Sequence, residues 1–293
     1  MVNLTFWGVR GSTPCPCDEN RRYGGNTACV SIEAPGLDPI ILDLGTGLRF
    51  FGEAIAGDEP LRALALVTHL HWDHTQGLPF FTPVNRVGAR LDVHAPKQSS
   101  GSVAELFDEF MRPPYFPVRV SDLRGDITFH DTSNTELHWG RAQVTVRDVP
   151  HVGETNGYRI EVDGMVIAYI SDHQQPVDGD DVADAVLELC RDADLLIHDA
   201  QYEPAEFALK SDWGHCTIGY AVRVAAEAGA KRLVLFHHDP SHTDDDIDRI
   251  LGTARALGAE HGVEEVVAAA EGLTIGLGAA IDTTLAELQS SAR

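Results

Sequence analysis

Apolar and polar residues recur along this chain with two different periods, and the period switches repeatedly. Residues 2–7 alternate at every second position, as a half-buried strand does. Further strands are predicted near 28–34 and 39–43. Asp43-Leu44-Gly45-Thr46-Gly47 then breaks the extended pattern and opens a helix to about Ala56, with Thr46 as its cap. The apolar run Leu61–Val67 predicts a buried strand over 61–68, and 91–95 predicts another. From Ser102 to Met111 the period lengthens, and Val103, Leu106, Phe107 and Phe110 fall on one helical face. Arg112-Pro113-Pro114-Tyr115-Phe116-Pro117 ends that helix.

Strand patterns return at 127–130, 135–138, 142–148, 157–162 and 165–170, the last two joined by an Asp163-Gly164 hairpin turn. Beyond 170 the two periods alternate. Helices at about 180–191, 217–229 and 243–257 interleave with strands at 194–198, 231–236, 265–268 and 272–276. A last exposed helix is predicted at 282–291. Such alternation suits sheets covered by helices, an α/β class. No Gly-, Ser- or Pro-rich linker divides the chain, so residues 1–293 are expected to form a single domain.

Composition narrows the setting. The apolar fraction of 43% is ample for a packed core. No run approaches the 18 consecutive apolar residues of a membrane span, so no membrane association is expected. The start, Met1-Val2-Asn3-Leu4-Thr5-Phe6-Trp7-Gly8, reads as a first strand and not as a signal peptide. Five Cys without a regular framework fit a reducing, cytoplasmic setting, with Cys15-Pro16-Cys17 as an incidental loop pair. The formal charge is −23, from 22 basic and 45 acidic residues. That field repels polyanions and disfavours nucleic acid as a partner. Arg10, Arg21, Arg22 and Arg49 fall close in sequence and suggest a local basic patch.

The chemistry concentrates in Thr68-His69-Leu70-His71-Trp72-Asp73-His74, which follows the strand over 61–68. His69 and His71, two apart, leave an extended chain on one face. Asp73 and His74 come after the chain has turned towards Thr75-Gln76-Gly77-Leu78-Pro79, which reads as a tight turn into a short helix. One segment can therefore serve two neighbouring metal ions.

This His-x-His-x-Asp-His pattern resembles the signature of the metallo-β-lactamase superfamily. The resemblance implies a four-layer αββα sandwich with metals at one edge. It also implies three more ligands, each after a strand: His151, Asp172 and His237. One metal would take His69, His71 and His151. The other would take Asp73, His74 and His237, with Asp172 bridging. His173 and His238, next to two of these positions, are expected to be supporting or surface groups. The nitrogen and oxygen donors suit Zn²⁺, with Mn²⁺ or Fe as alternatives.

Leu195-Leu196-Ile197-His198-Asp199-Ala200-Gln201-Tyr202 and Trp213-Gly214-His215-Cys216-Thr217 resemble the His-Glu-Ala-Thr and Gly-His-Ser-Thr segments of ribonuclease Z and related phosphodiesterases. In that branch the acid orients the His, which protonates the leaving oxygen. Carried over, Asp199 orients His215, and Asp73 joins them as a catalytic residue. Asp199, Gln201 and Cys216 depart from the Glu, Thr and Ser of the branch. Gly8-x-Arg10-Gly11-Ser12 and Gly24-Gly25-Asn26-Thr27 are similar to motifs of bacterial hydrolases close to cyclic-nucleotide phosphodiesterases.

The expected activity is that of a binuclear metal-dependent hydrolase, a phosphodiesterase in which a bridging hydroxide attacks a small or flexible phosphodiester, a cyclic nucleotide or similar. Two metals about 3.5–4 Å apart lower the pKa of such a water towards about 7. The centre would carry a formal charge of roughly +1, which matches a phosphodiester monoanion. Transfer-RNA processing of the ribonuclease Z kind is the alternative. It is weakened by the charge and by the short stretch between His94 and His130, which has no long Lys-rich arm. Hydrolysis of thioesters or lactones is a further enzyme reading. A di-iron redox or sensor protein is the non-hydrolytic one, and the intact His71 argues against it. The apolar residues of 102–117 leave two roles open, a lid or a homodimer contact.

Overall fold

The protein was analysed as a computed structural model that describes residues 1–278 apart from 56, 58 and 180. The predicted tail helix at 282–291 lies outside the described residues.

Six strands come first: β1 Val2–Gly8, β2 Cys29–Ala34, β3 Leu37–Leu42, β4 Arg62–Leu66, β5 Arg90–Ala95 and β6 Asp126–Asp131. Eight follow: β7 Thr135–Trp139, β8 Ala142–Asp148, β9 Asn156–Val162, β10 Met165–Ile170, β11 Leu195–Asp199, β12 Arg232–Phe236, β13 Glu265–Ala268 and β14 Thr274–Leu277. The helices are α1 Leu48–Ala54, α2 Val103–Phe110, α3 Asp184–Cys190, α4 Pro204–Lys210, α5 Ile218–Ala228 and α6 Asp244–His261.

Among the described residues the strands form two seven-stranded sheets. One runs β14-β1-β2-β3-β4-β5-β6, the other β13-β12-β11-β10-β9-β8-β7. The final strand returns to pair antiparallel with β1, Val2 opposite Leu277. Local pattern does not show that return, because it joins the two ends of the sequence.

The alternation along each strand explains the layering. Phe6, Val30, Leu42 and Leu66 of the first sheet and Val144, Tyr158, Tyr169 and Phe236 of the second share one core between the sheets. The opposite faces are apolar too. The first sheet packs Ile41, Ala65 and Val93 with Phe51 and Phe107 of α1 and α2. The second packs Ile170, Leu196 and Leu235 with residues of α3, α5 and α6. Strands buried on both faces read as continuous apolar runs, which is how 63–67, 166–170 and 233–236 read. Fully burying one such side chain contributes roughly 1.5–3 kcal/mol. The αββα sandwich is therefore the observed architecture.

Several boundaries differ from expectation. The segment after the ligand cluster is a series of 3₁₀ turns, Trp72–His74, Leu78–Phe80 and Thr82–Asn85. Pro79 and Pro83 near the starts of two of them lack the N–H that a longer helix needs. The helix expected over 180–191 is α3, shorter at both ends. Helix α4 was not anticipated; none of its seven residues is buried, so it has no apolar period to read. The Glu203 backbone N–H donates to the Glu206 carboxylate and marks the start of α4.

Parallel pairing sets the position of the site. β10, β11 and β12 run parallel, as do β3, β4 and β5. Strand β8 shares the direction of β10, because both are antiparallel to β9. Thus β3, β4, β8, β10, β11 and β12 all deliver the residues that follow them to one edge of the sandwich.

Candidate metal centre

The seven residues predicted as ligands converge at that edge. His69, His71 and His151 offer donor atoms within 4.8 Å of one another, and so do Asp73, His74 and His237. Asp172 lies between the groups. Its Oδ1 is 3.2 Å from His74 Nε2, and its Oδ2 is 3.4 Å from His237 Nε2, 3.8 Å from His151 Nε2 and 3.9 Å from His69 Nε2. Asp73 Oδ2 is 3.1 Å from both His74 Nε2 and His237 Nε2. His69 Nε2 lies 2.7 Å from His71 Nδ1.

The far side of most rings is anchored, which decides which nitrogen faces inward. His74 Nδ1 donates to Asp43 Oδ2 at 2.8 Å. His237 Nδ1 donates to Gln201 Oε1 at 2.7 Å, and His151 Nδ1 to the Gly214 carbonyl at 2.6 Å. Each bond keeps a proton on Nδ1 and so presents Nε2 to the cluster. Gln201, a departure from the branch's Thr, thus fixes the His237 ring. Asp73 is held by the Ser12 backbone N–H at 2.7 Å. The loop carrying Ser12 lies so close to His237 that a Cβ on Gly11 would sit 2.3 Å from the imidazole.

Asp43 is the site residue that motif reasoning did not single out. Besides His74, it accepts from Thr68 N at 2.7 Å and from the Tyr169 hydroxyl at 2.7 Å. It is fully buried, and it sits at φ 58, as His237 also does. Left-handed backbone at two non-glycine residues of one site costs about 1–3 kcal/mol each and persists only where packing enforces it. The available signal was the Asp43-Leu44-Gly45-Thr46-Gly47 break, which reads equally well as an ordinary turn.

Charge divides the centre in two. Burial, together with the neighbouring imidazoles, pushes His69 well below its ordinary pKa, and burial lowers His71 as well. Burial likewise lowers His151 to about 4. These three are neutral, the form that ligates metal. For His74 and His237 burial also acts downward, but Asp73 and Asp172 outweigh it and hold both above the ordinary value. Asp73 and Asp172 resist burial through the same imidazoles and stay well below the usual carboxylate range.

The residues fit a divalent metal. His74 Nε2 and Asp172 Oδ1 are buried, face each other and have no hydrogen-bond partner. Buried polar atoms left unpaired are costly. A cation among these nitrogen and oxygen donors would satisfy both.

Beside the seven, His215 Nδ1 is 2.9 Å from Asp199 Oδ2 and 3.7 Å from Asp172 Oδ2. Asp199, at the end of β11, also accepts the backbone N–H groups of His173 and Gln201. The shorter acid therefore still reaches the His. Cys216 Sγ donates to the Asp199 carbonyl at 3.1 Å.

His173 and His238 are not surface groups: both are buried. His173 Nδ1 meets His198 Nε2 at 3.0 Å, and His238 Nε2 meets the Ala269 carbonyl at 3.0 Å. The expected basic patch dissolves as well. Arg10 is buried and donates to the carbonyls of Gly24, Asp239 and His242. Arg22 pairs with Asp244, Asp245 and Asp248, Arg21 with Asp18, and Arg49 with Glu53. Those partners lie mostly far along the chain, so proximity in sequence misled. Among the described residues no helix is long and apolar enough to cross a membrane.

Comparison with known proteins agrees with this geometry. The profile of the family described as "Beta-lactamase superfamily domain" matches residues 41–238. Ribonuclease Z of Natronomonas pharaonis is 26% identical, with 86% of this chain and 93% of that protein covered. The metallo-β-lactamase-fold protein YhfI of Bacillus subtilis superposes with a TM-score of 0.70 at 18% identity, covering 94% of this chain and 98% of that one. A diphosphatase of the PhnP family superposes with a TM-score of 0.68 at 19% identity, covering 96% and 100%. With its His/Asp cluster at the edge of an αββα sandwich, the chain belongs to the β-lactamase superfamily and is a metallo-β-lactamase-fold hydrolase.

Proposed function

We propose that the protein is a binuclear metal-dependent phosphodiesterase acting on a small or flexible phosphodiester. The observation that carries this reading is the His215–Asp199 pair, with His215 Nδ1 3.7 Å from Asp172 Oδ2. His69, His71 and His151 would hold one metal and Asp73, His74 and His237 the other, with Asp172 shared. Bound there, divalent metals, zinc by preference, would activate water as a nucleophile and offset charge on a phosphate. The chain's own residues supply the remainder. Asp199 accepts from His215 Nδ1 and so turns Nε2 outward, where its proton can pass to a leaving alkoxide. Ser12 and Gln201 keep Asp73 and His237 in place.

The test varies the leaving group. His215→Ala should slow an alkyl phosphodiester by roughly 10²–10⁴-fold, while a p-nitrophenyl ester, whose leaving group needs little protonation, slows less. Metal content should not change. Equal slowing of both esters, or loss of metal, would make His215 a ligand or a structural residue instead.

Ribonuclease Z activity is the second reading, favoured by the Natronomonas relative of that name. Against it, residues 96–125 between β5 and β6 fold back as α2 and a 3₁₀ turn, Phe107 of α2 stacking on Phe129 of β6. That segment holds four basic and four acidic residues, and the whole chain carries −23. Small diesters should outperform folded RNA even at low salt, where repulsion of a polyanion is strongest. Efficient cleavage of precursor transfer RNA at low salt would reverse the choice.

A further inference from the structure

The groove above the metal centre carries apolar side chains that the reaction does not need. Its cavity, about 540 Å³, is lined by Asp73, Asp172, His215 and His237 at its floor and by Trp72, Val152 and Trp213 at its mouth. Trp72 is 77% exposed and Trp213 60%. Single exposed apolar residues are ordinary, but these two line one cavity with the His/Asp cluster, which makes them a candidate binding surface.

Neither ring is placed by chance. Trp72 lies between His71 and Asp73, and its carbonyl accepts the N–H groups of Thr75 and Gln76. The Trp213 backbone N–H donates to the Lys210 carbonyl, and Trp213 precedes Gly214, whose carbonyl holds His151. The backbone under both rings is therefore part of the site, which lowers the entropic cost of gripping a ligand.

A second cavity of about 340 Å³ continues past Trp72 and Val152 towards Leu106 and Phe110 of α2. Its charged lining residues other than histidine are Glu109 and Glu154, and those of the first cavity outside the metal-binding set reduce to Asp212. Among the described residues no Lys or Arg lines either one. The charged groups a second phosphate would meet there, apart from histidines, are carboxylates. An uncharged, flat group would meet tryptophan.

We propose that this groove selects a monoanionic phosphodiester whose retained substituent is an uncharged aromatic ring, such as a nucleoside base, held by Trp72 and Trp213. This rests on the phosphodiesterase reading and narrows it. Polyphosphates and unsubstituted alkyl diesters are the poorer substrates.

The experiment compares two diesters with the same leaving group, thymidine 5′-(p-nitrophenyl phosphate) and methyl p-nitrophenyl phosphate. The metal-loaded wild type should prefer the thymidine diester about tenfold or more in kcat/KM, the scale of one stacked base. Trp72→Ala and Trp213→Ala should each cut that preference by about fivefold or more, through KM, with unchanged metal content. If Trp72→Ala loses metal, Trp213→Ala carries the comparison. An absent preference, or one that survives these substitutions, overturns the proposal. If neither diester is hydrolysed, the phosphodiesterase reading fails, and the groove is judged by binding alone. Thymidine 5′-methyl phosphate should then still quench tryptophan emission saturably in the wild type and not in the Trp72→Ala/Trp213→Ala variant. Absence of that quench also overturns the proposal.

Discussion

Replacing Asp43 by Asn isolates what the buried carboxylate does for the metal centre. Asn tolerates left-handed backbone, so the φ of 58 adds little strain. The side chain keeps its shape. One oxygen can still accept the Thr68 N–H, now at 2.7 Å. The other becomes an NH₂ facing two donors, His74 Nδ1–H at 2.8 Å and the Tyr169 hydroxyl at 2.7 Å. His74 can relieve its clash only by moving its proton to Nε2, the atom aimed at Asp73 and Asp172. The lone pair needed for metal is then lost.

Disrupting a hydrogen bond behind a metal-binding His costs about 10–100-fold in affinity, equivalent to about 1.4–2.7 kcal/mol. The lost charge-assisted bonds and the opposed hydroxyl should also destabilise the metal-free protein by about 2–4 kcal/mol. Zinc affinity is read by competition with a chromophoric chelator, and stability by urea unfolding. Tyr169→Phe is the control: it removes one donor, should cost about 1 kcal/mol of stability, and should leave zinc affinity within a few-fold. If Asp43→Asn binds zinc within threefold of the wild type, the carboxylate does not set the His74 tautomer and the reasoning fails.

Chelation should abolish hydrolysis, and Asp172→Ala should lose at least one metal per chain by elemental analysis; a fully loaded, active variant would contradict the shared position. Burial and then the neighbouring His130 lower His94 from its ordinary imidazole value to about 4. A folded-state pKa below the unfolded one means that its contribution to stability is complete above about 6.5 and declines as pH falls towards 4, by at most about 3 kcal/mol. His94→Gln should therefore flatten the urea-unfolding profile of the protein between pH 6.5 and 4, and an unchanged slope would show that His94 does not titrate there.

The His/Asp cluster was legible because the chemistry that would hold a metal places its demands locally. His69, His71, Asp73 and His74 lie in one segment behind one apolar strand, and spacing along a strand and turn sets which face each donor takes. The apolar runs that end at the remaining ligands were equally plain, since strands buried on both faces must be apolar throughout. The anchors behind the ligands were not legible. Asp43 reaches Tyr169 across 126 positions, His151 reaches Gly214 across 63, and His237 reaches Gln201 across 36. Hydrogen bonds of this kind depend on distance in space alone and leave no periodic trace. The same cause took Arg22 and Arg10 out of the basic patch, Arg22 meeting acids at 244–248 and Arg10 backbone carbonyls. It also concealed the return of β14 to β1. Local chemistry thus determined which residues could hold metal; only the packing of the two sheets decided which nitrogen each imidazole offers, because that choice belongs to whatever lies behind the ring.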